Sequence, residues 1–124
     1  MSEKNQIYQC SVCGQIIEIL EPGKGQLVCC GQNMNLLKEK NQDEGMEKHV
    51  PVLNKTENGW QIQVGTLPHP MEETHYIKWI ELISINGVYR IYLKPGDMPA
   101  GDFQVNTENI KVRIYCNVHG LWQS

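Results

Sequence analysis

Five cysteines and four histidines in this 124-residue chain are the side chains that could hold a soft or borderline metal ion. Cys10, Cys13, Cys29 and Cys30 fall within the first 30 residues, whereas Cys116 stands near the other end beside His119, and every histidine follows residue 48. Such segregation points to two separate sites. Cys10 and Cys13 form a C-x2-C pair, and after fifteen intervening residues Cys29 and Cys30 are adjacent. Four thiolates can enclose a divalent or ferric ion tetrahedrally, and the ion would supply folding energy that so small a module lacks. Thiolates suit both iron and zinc, so spacing does not choose between them. A purely structural metal and a vicinal disulfide are the bland alternatives.

The other donors are His49, His69, His75, Cys116 and His119. Their long separations require several loops and strands to bring them together, a weaker signal than a compact knuckle. Local context strengthens it. His69 is clamped between Pro68 and Pro70, which narrows its accessible backbone, and Cys116 and His119 have the short spacing of two ligands from one turn. A lone histidine is more often a hydrogen-bonded surface or core residue, but here four of them would have to be coincidences.

The elements that must position these donors read as β throughout. Residues 16–20 are β-prone and lead into a turn at Glu21-Pro22-Gly23-Lys24-Gly25. Residues 38–45 are polar and read as a linker, which divides the chain into segments 1–37 and 46–124. In the second segment Trp60, Ile62 and Val64 alternate with Gln61 and Gln63, the period of a strand with one buried face. Residues 76–83 form a more continuous apolar run, as in a strand covered on both sides. Asn86-Gly87 is a two-residue hairpin signal, since both residues tolerate positive φ. Ile110, Val112, Ile114 and Cys116 share one face, with Lys111 and Arg113 on the other, so the Cys116 sulfur points inward unless a bulge intervenes. The aromatic residues Trp60, Trp79 and Tyr76 and the methionines Met46, Met71 and Met98 are expected to pack, and Glu72 and Glu73 to face solvent. Short strands between regular turns predict an all-β chain: a small metal-binding domain followed by an immunoglobulin-like β-sandwich.

Composition excludes other classes. The net charge of −3, without a run of like sign, gives no broad positive field for nucleic acid. No apolar stretch approaches the roughly 18 residues of a membrane span, and the opening residues lack a secretory apolar region. A soluble cytoplasmic protein is expected, and there cysteines serve as metal ligands or in catalysis more often than in disulfides.

Three segments carry a resemblance. Glu47-Lys48-His49-Val50-Pro51, His69-Pro70-Met71-Glu72-Glu73-Thr74-His75 and Cys116-Asn117-Val118-His119-Gly120 are similar to the ligand motifs of superoxide reductases. The module with Cys10, Cys13, Cys29 and Cys30 resembles the desulforedoxin-like, rubredoxin-like domain of the two-iron members, the desulfoferrodoxins. The similarity spans essentially the whole chain. It implies one iron on those four cysteines. It implies a second, catalytic iron with His49, His69, His75 and His119 in an equatorial plane and Cys116 axial. Where relatives would carry a basic residue and a His-Trp pair, this sequence has Thr74 and Leu121-Trp122.

Such a ligand set leaves a sixth position open opposite Cys116, where superoxide would take up one electron and, with two protons, leave as hydrogen peroxide. The axial thiolate and the hydrogen bonds to its sulfur would tune the potential. Glu47 and Lys48 are the candidate catalytic pair: the lysine to draw in the superoxide anion, the glutamate to occupy the sixth position of the oxidised metal. Without the resemblance both would read as solvated loop charges. The resemblance further implies a rubredoxin-like electron donor and a homodimer. A non-enzymatic electron carrier, with the tetrathiolate as working centre, is the alternative.

Overall fold

The computed structural model describes residues 2–42 and 48–124, and it divides into two compact units, Met1–Lys38 and Glu39–Ser124. Every regular element among the described residues is a strand.

In the first unit β1 (Ile7–Gln9) lies between β2 (Ile16–Glu18) and β5 (Asn35–Leu36), antiparallel to both. A separate hairpin joins β3 (Val28–Cys29) to β4 (Gln32–Asn33). The apolar side chains buried here among the described residues are Ile7, Cys10 and Ile19. At about 1.5–3 kcal/mol for each fully buried aliphatic side chain, that core cannot offset the entropy of ordering the unit.

The second unit is a two-sheet sandwich. One sheet has the order β10-β7-β6, from β6 (Pro51–Thr56), β7 (Gly59–Val64) and β10 (Ala100–Phe103). The other has the order β12-β11-β8-β9, from β8 (Ile77–Ser84), β9 (Gly87–Tyr92), β11 (Lys111–Cys116) and β12 (Gly120–Gln123). Seven antiparallel strands that pass repeatedly between two sheets make the immunoglobulin-like architecture that the strand pattern predicts. Ile62 and Val64 of the first sheet meet Ile80, Leu82, Val112 and Ile114 of the second in the core. Trp60 and Met71 pack against this cluster and Glu72 and Glu73 are exposed, but Met98, expected to pack, is 77% exposed, and Met46 lies outside the described residues.

Three details differ from, or add to, the sequence expectation. The β8–β9 hairpin turns on Ile85 and Asn86, not on Asn86-Gly87, because Ser84 pairs with Gly87. Neither turn residue has positive φ; the Ser84 hydroxyl instead accepts the Asn86 N–H at 3.3 Å and donates to the Gly87 carbonyl at 3.3 Å. A bulge does fall beside Cys116, but the extra residue is on β8, where Ile77 follows Trp79 in the register. The alternation of β11 therefore persists and Cys116 is fully buried. The centre of this sheet's outer face is buried as well: Arg113 is 1% exposed and its Nε donates to Glu81 at 2.6 Å, while Arg90 pairs with the same carboxylate.

Strand directions place one end of the sandwich in charge of the histidines. Pro51, at the start of β6, pairs with Val64 at the end of β7, and Cys116, at the end of β11, pairs with Gly120 at the start of β12 and Ile77 at the start of β8. The approach to β6, the 65–76 connection and the 117–119 turn all open there.

Candidate metal centres

Cys10 follows β1 directly, and the chain then turns back so that the Cys13 N–H donates to the Cys10 sulfur at 3.4 Å, with Gly14 at φ 83° completing the knuckle. The second pair sits on the β3–β4 hairpin. Because Cys29 pairs with Gln32, the turn consists of Cys30 and Gly31, with φ 53° and 76°. Positive φ at both central residues is the hairpin geometry whose twist suits the flanking strands. Gly31 adopts it freely; Cys30 does so at a cost of about 1–2 kcal/mol. This strained turn is how adjacent cysteines aim their sulfurs to one side. Cys13 Sγ lies 3.6 Å from Cys29 Sγ, and Cys29 Sγ 3.9 Å from Cys30 Sγ. A tetrahedron with metal–sulfur distances of about 2.3 Å has edges of about 3.8 Å. All five cysteines are free, so the vicinal disulfide is not formed.

The electrostatics of the four sulfurs ask for a cation. The Cys13 backbone N–H holds the Cys10 thiol down to about 6, whereas hydrogen bonding among the sulfurs, first to Cys10, pushes Cys29 up to about 12. Crowded thiols resist ionising together unless a metal neutralises them.

At the end of the sandwich, His49, His69, His75, Cys116 and His119 bring one donor atom each within 4.8 Å of one another. The rings form a closed circuit. Centroid separations are 4.7 Å for His49–His69, 4.8 Å for His69–His75, 5.0 Å for His75–His119 and 4.7 Å for His119–His49, each pair edge-on. His69 shares its Nδ1 proton with the Pro70 carbonyl at 2.7 Å, which leaves the Nε2 lone pair facing inward. His49 Nε2 lies 3.1 Å from His119 Nδ1, and the same Nδ1 lies 3.8 Å from the Cys116 sulfur, so His119 presents Nδ1 to the centre. The Nε2 atoms of His69 and His75 are buried without a hydrogen-bond partner. Two orphaned lone pairs beside a buried thiol are costly in an empty protein interior and are what a metal ion satisfies.

Burial, above all, lowers His69 to about 4 and also lowers His75, so both rings are neutral and able to ligate. Burial likewise pushes the Cys116 thiol up, opposed by the backbone N–H groups of His119 and Val118 and by the charge of Lys40. The His119 N–H donates to the Cys116 sulfur at 3.4 Å.

Several residues that position these donors have no donor chemistry of their own. Asn117 accepts the Tyr76 N–H at 2.9 Å and donates from Nδ2 to the Thr74 carbonyl at 3.1 Å. Gly65 has φ 79° and donates its N–H to the Val50 carbonyl at 3.1 Å; a Cβ there would lie 2.6 Å from the Lys48 backbone. Trp122 stacks on His49 with centroids 4.5 Å apart and planes 12° from parallel. A glycine closing a strand and an asparagine between two donors were available signals for the first two. Lys48 is half-buried beside His49, and its charge acts on His75. Glu47 lies outside the described residues, as do residues 43–46. Thr74 is exposed and Leu121 is buried.

Fold and donor sets together define a non-haem metalloprotein with one closed thiolate site and one mixed histidine–thiolate site. The family model described as desulfoferrodoxin matches residues 41–124, and that for the desulfoferrodoxin N-terminal domain matches residues 2–37. A desulfoferrodoxin homolog of Methanothermobacter thermautotrophicus is 55% identical over 123 residues, covering 98% of this chain and 99% of that one. The superoxide reductase of Treponema pallidum shares the fold at a TM-score of 0.79 and 21% identity, covering 96% of each chain. A one-iron superoxide reductase of Giardia intestinalis superimposes at a TM-score of 0.57 with 33% identity, covering 63% of this chain and 95% of its own. The chain belongs to the desulfoferrodoxin family. Its two donor groups match the two iron centres of that family.

Proposed function

We propose that this chain is a superoxide reductase in which His49, His69, His75, His119 and Cys116 hold the reactive iron while Cys10, Cys13, Cys29 and Cys30 hold the second. The observation that carries the reading is the circuit of four imidazoles with two orphaned nitrogens converging on one buried thiol. Kinship with the superoxide reductase of Giardia intestinalis supports superoxide as the substrate. Bound iron would supply the single electron that reduces superoxide, two protons completing hydrogen peroxide.

The residues around it divide the remaining work. His69 and His75, kept neutral by burial, add no charge at the site, so the Cys116 thiolate would dominate the electron density offered to a bound metal. The His119 N–H, donating to that sulfur, moderates the donation. Lys48 concentrates the anionic substrate at the mouth of a protein whose net charge is −3, and its N–H⁺ is a hydrogen-bond donor to the incoming oxygen. Glu47 would serve as a further ligand to the oxidised metal, a role that rests on the motif. We read residues 1–37 as the tetrathiolate domain, 46–124 as the catalytic domain and 38–45 as the connector, of which Glu39 and Lys40 already belong to the second compact unit. A rubredoxin-like protein re-reduces the metal, and the working form is a cytoplasmic homodimer. No helix among the described residues is long and apolar enough to cross a membrane.

The test is a pulse of superoxide onto the reduced, iron-loaded full chain. One hydrogen peroxide per superoxide, without dioxygen release, is the expected result. Dioxygen release would mean dismutation, and absence of reaction would mean an electron carrier.

A further inference from the structure

Lys40 follows the first unit by two residues and belongs to the second. Its backbone is sewn to β12: the Lys40 N–H donates to the Leu121 carbonyl at 3.0 Å, and the Gln123 N–H donates to the Lys40 carbonyl at 2.8 Å. With the backbone held, the side chain reaches back along the strand. Its ammonium donates to the His119 carbonyl at 2.9 Å and stands 5.3 Å from the centroid of the Trp122 ring. The same carbonyl accepts the Trp122 indole N–H at 3.1 Å, and that indole lies flat on His49. One cation and one indole thus converge on the carbonyl of a donor residue, and the indole touches a second.

An exposed lysine has free choice of solvent, so its place here reflects the combined pull of a carbonyl and an aromatic face on a stem whose origin is fixed. The arrangement has two effects. Two donors on one carbonyl fix the peptide that carries the His119 ring. A permanent positive charge also stands beside the turn linking Cys116 to His119, where it favours the metal state of lower charge.

We propose that Lys40 is a positioning residue for the five-donor centre, holding the His119 peptide and raising the reduction potential of the metal bound there. The inference rests on reading these donors as a redox metal site. Its test uses the full iron-loaded chain with Lys40→Met, Lys40→Arg and His119→Ala, measuring metal stoichiometry and affinity, thermal midpoint and the midpoint potential at low and high salt. Lys40→Met should keep the parent's thermal midpoint but titrate at a lower potential at low salt, the difference shrinking as salt rises. Lys40→Arg should restore the parent potential. Weaker metal binding in Lys40→Met that Lys40→Arg repairs supports the same role. A Lys40→Met potential equal to the parent's at low salt overturns the proposal, as does a Lys40→Arg variant indistinguishable from Lys40→Met. Should His119→Ala keep both metal equivalents and an unchanged spectrum, the five-donor centre itself is wrong and the inference falls with it.

Discussion

Asn117 grips the backbone on both sides of His75, one amide arm on the carbonyl before it and the other on the N–H after it. The turn that carries Cys116 and His119 is therefore tied to the loop that carries His75. Removing the tie in Asn117→Ala should cost roughly 10- to 100-fold in metal affinity at the five-donor site, as losses of supporting hydrogen bonds do. Competition titration with cobalt(II) reads this directly. Asn117→Asp keeps the acceptor and loses the donor, and should fall between.

Gly65 sets the other side. Gly65→Ala would force an L side chain to φ 79° and against the Lys48 backbone. The left-handed conformation alone costs about 1–2 kcal/mol, and the contact adds to it. Urea unfolding should show at least that loss, and metal analysis should show reduced occupancy because the displaced segment carries His49. An Ala variant with parental stability and occupancy would show that the close approach does not matter.

The first unit should depend on its metal for folding. Cys13 is exposed, so Cys13→Ser disturbs no packing by itself. Its expected effect is loss of one metal equivalent and of hydrogen-exchange protection at the Ile19 amide, which donates to the Gln6 carbonyl at 2.9 Å. Amides of Ile80 and Ile114, in the ladder of the larger sheet, should keep their protection.

Charge at the mouth should act on capture more than on chemistry. Lys48→Ala should slow the second-order reaction with superoxide by roughly up to tenfold at low salt and flatten its ionic-strength dependence, with iron retained. Stopped-flow or pulse-radiolysis rates across a salt series decide it. Glu47→Ala should change the absorption of the oxidised centre while capture stays fast.

Much of the architecture was legible in the sequence because its cause is local. The alternation over residues 60–64 and the run over residues 76–83 report burial of one face or two, and strand formation follows from either. Cysteine and histidine stand out by chemistry, so the two convergent groups could be proposed before their geometry was known. What stayed hidden depends on partners far along the chain. Period two assigns Arg113 to the outer face, but whether that face is covered depends on Glu81 and Arg90. The Ile85-Asn86 turn wins over Asn86-Gly87 because strand register, set along the whole of β8 and β9, outweighs the preference of two residues. Asn117, Gly65 and Lys40 act through backbone atoms of distant neighbours; an asparagine between two donors and a glycine closing a strand mark the first two positions, but which distant atoms they meet is set by the fold.

The sandwich has two unlike poles. Its donors and their supports gather where β6, β8 and β12 begin, while the tight turns after Thr56 and Ser84 lie at the opposite pole. Ile85, 88% exposed on one of those turns, is thus a handle remote from the chemistry. A peptide inserted between Ile85 and Asn86, or a linker anchored there, should hold the protein to an electrode or a bead with the reactive pole turned toward the solution. Immobilised in this way, it would serve as a sensor whose attachment and detection chemistry do not compete.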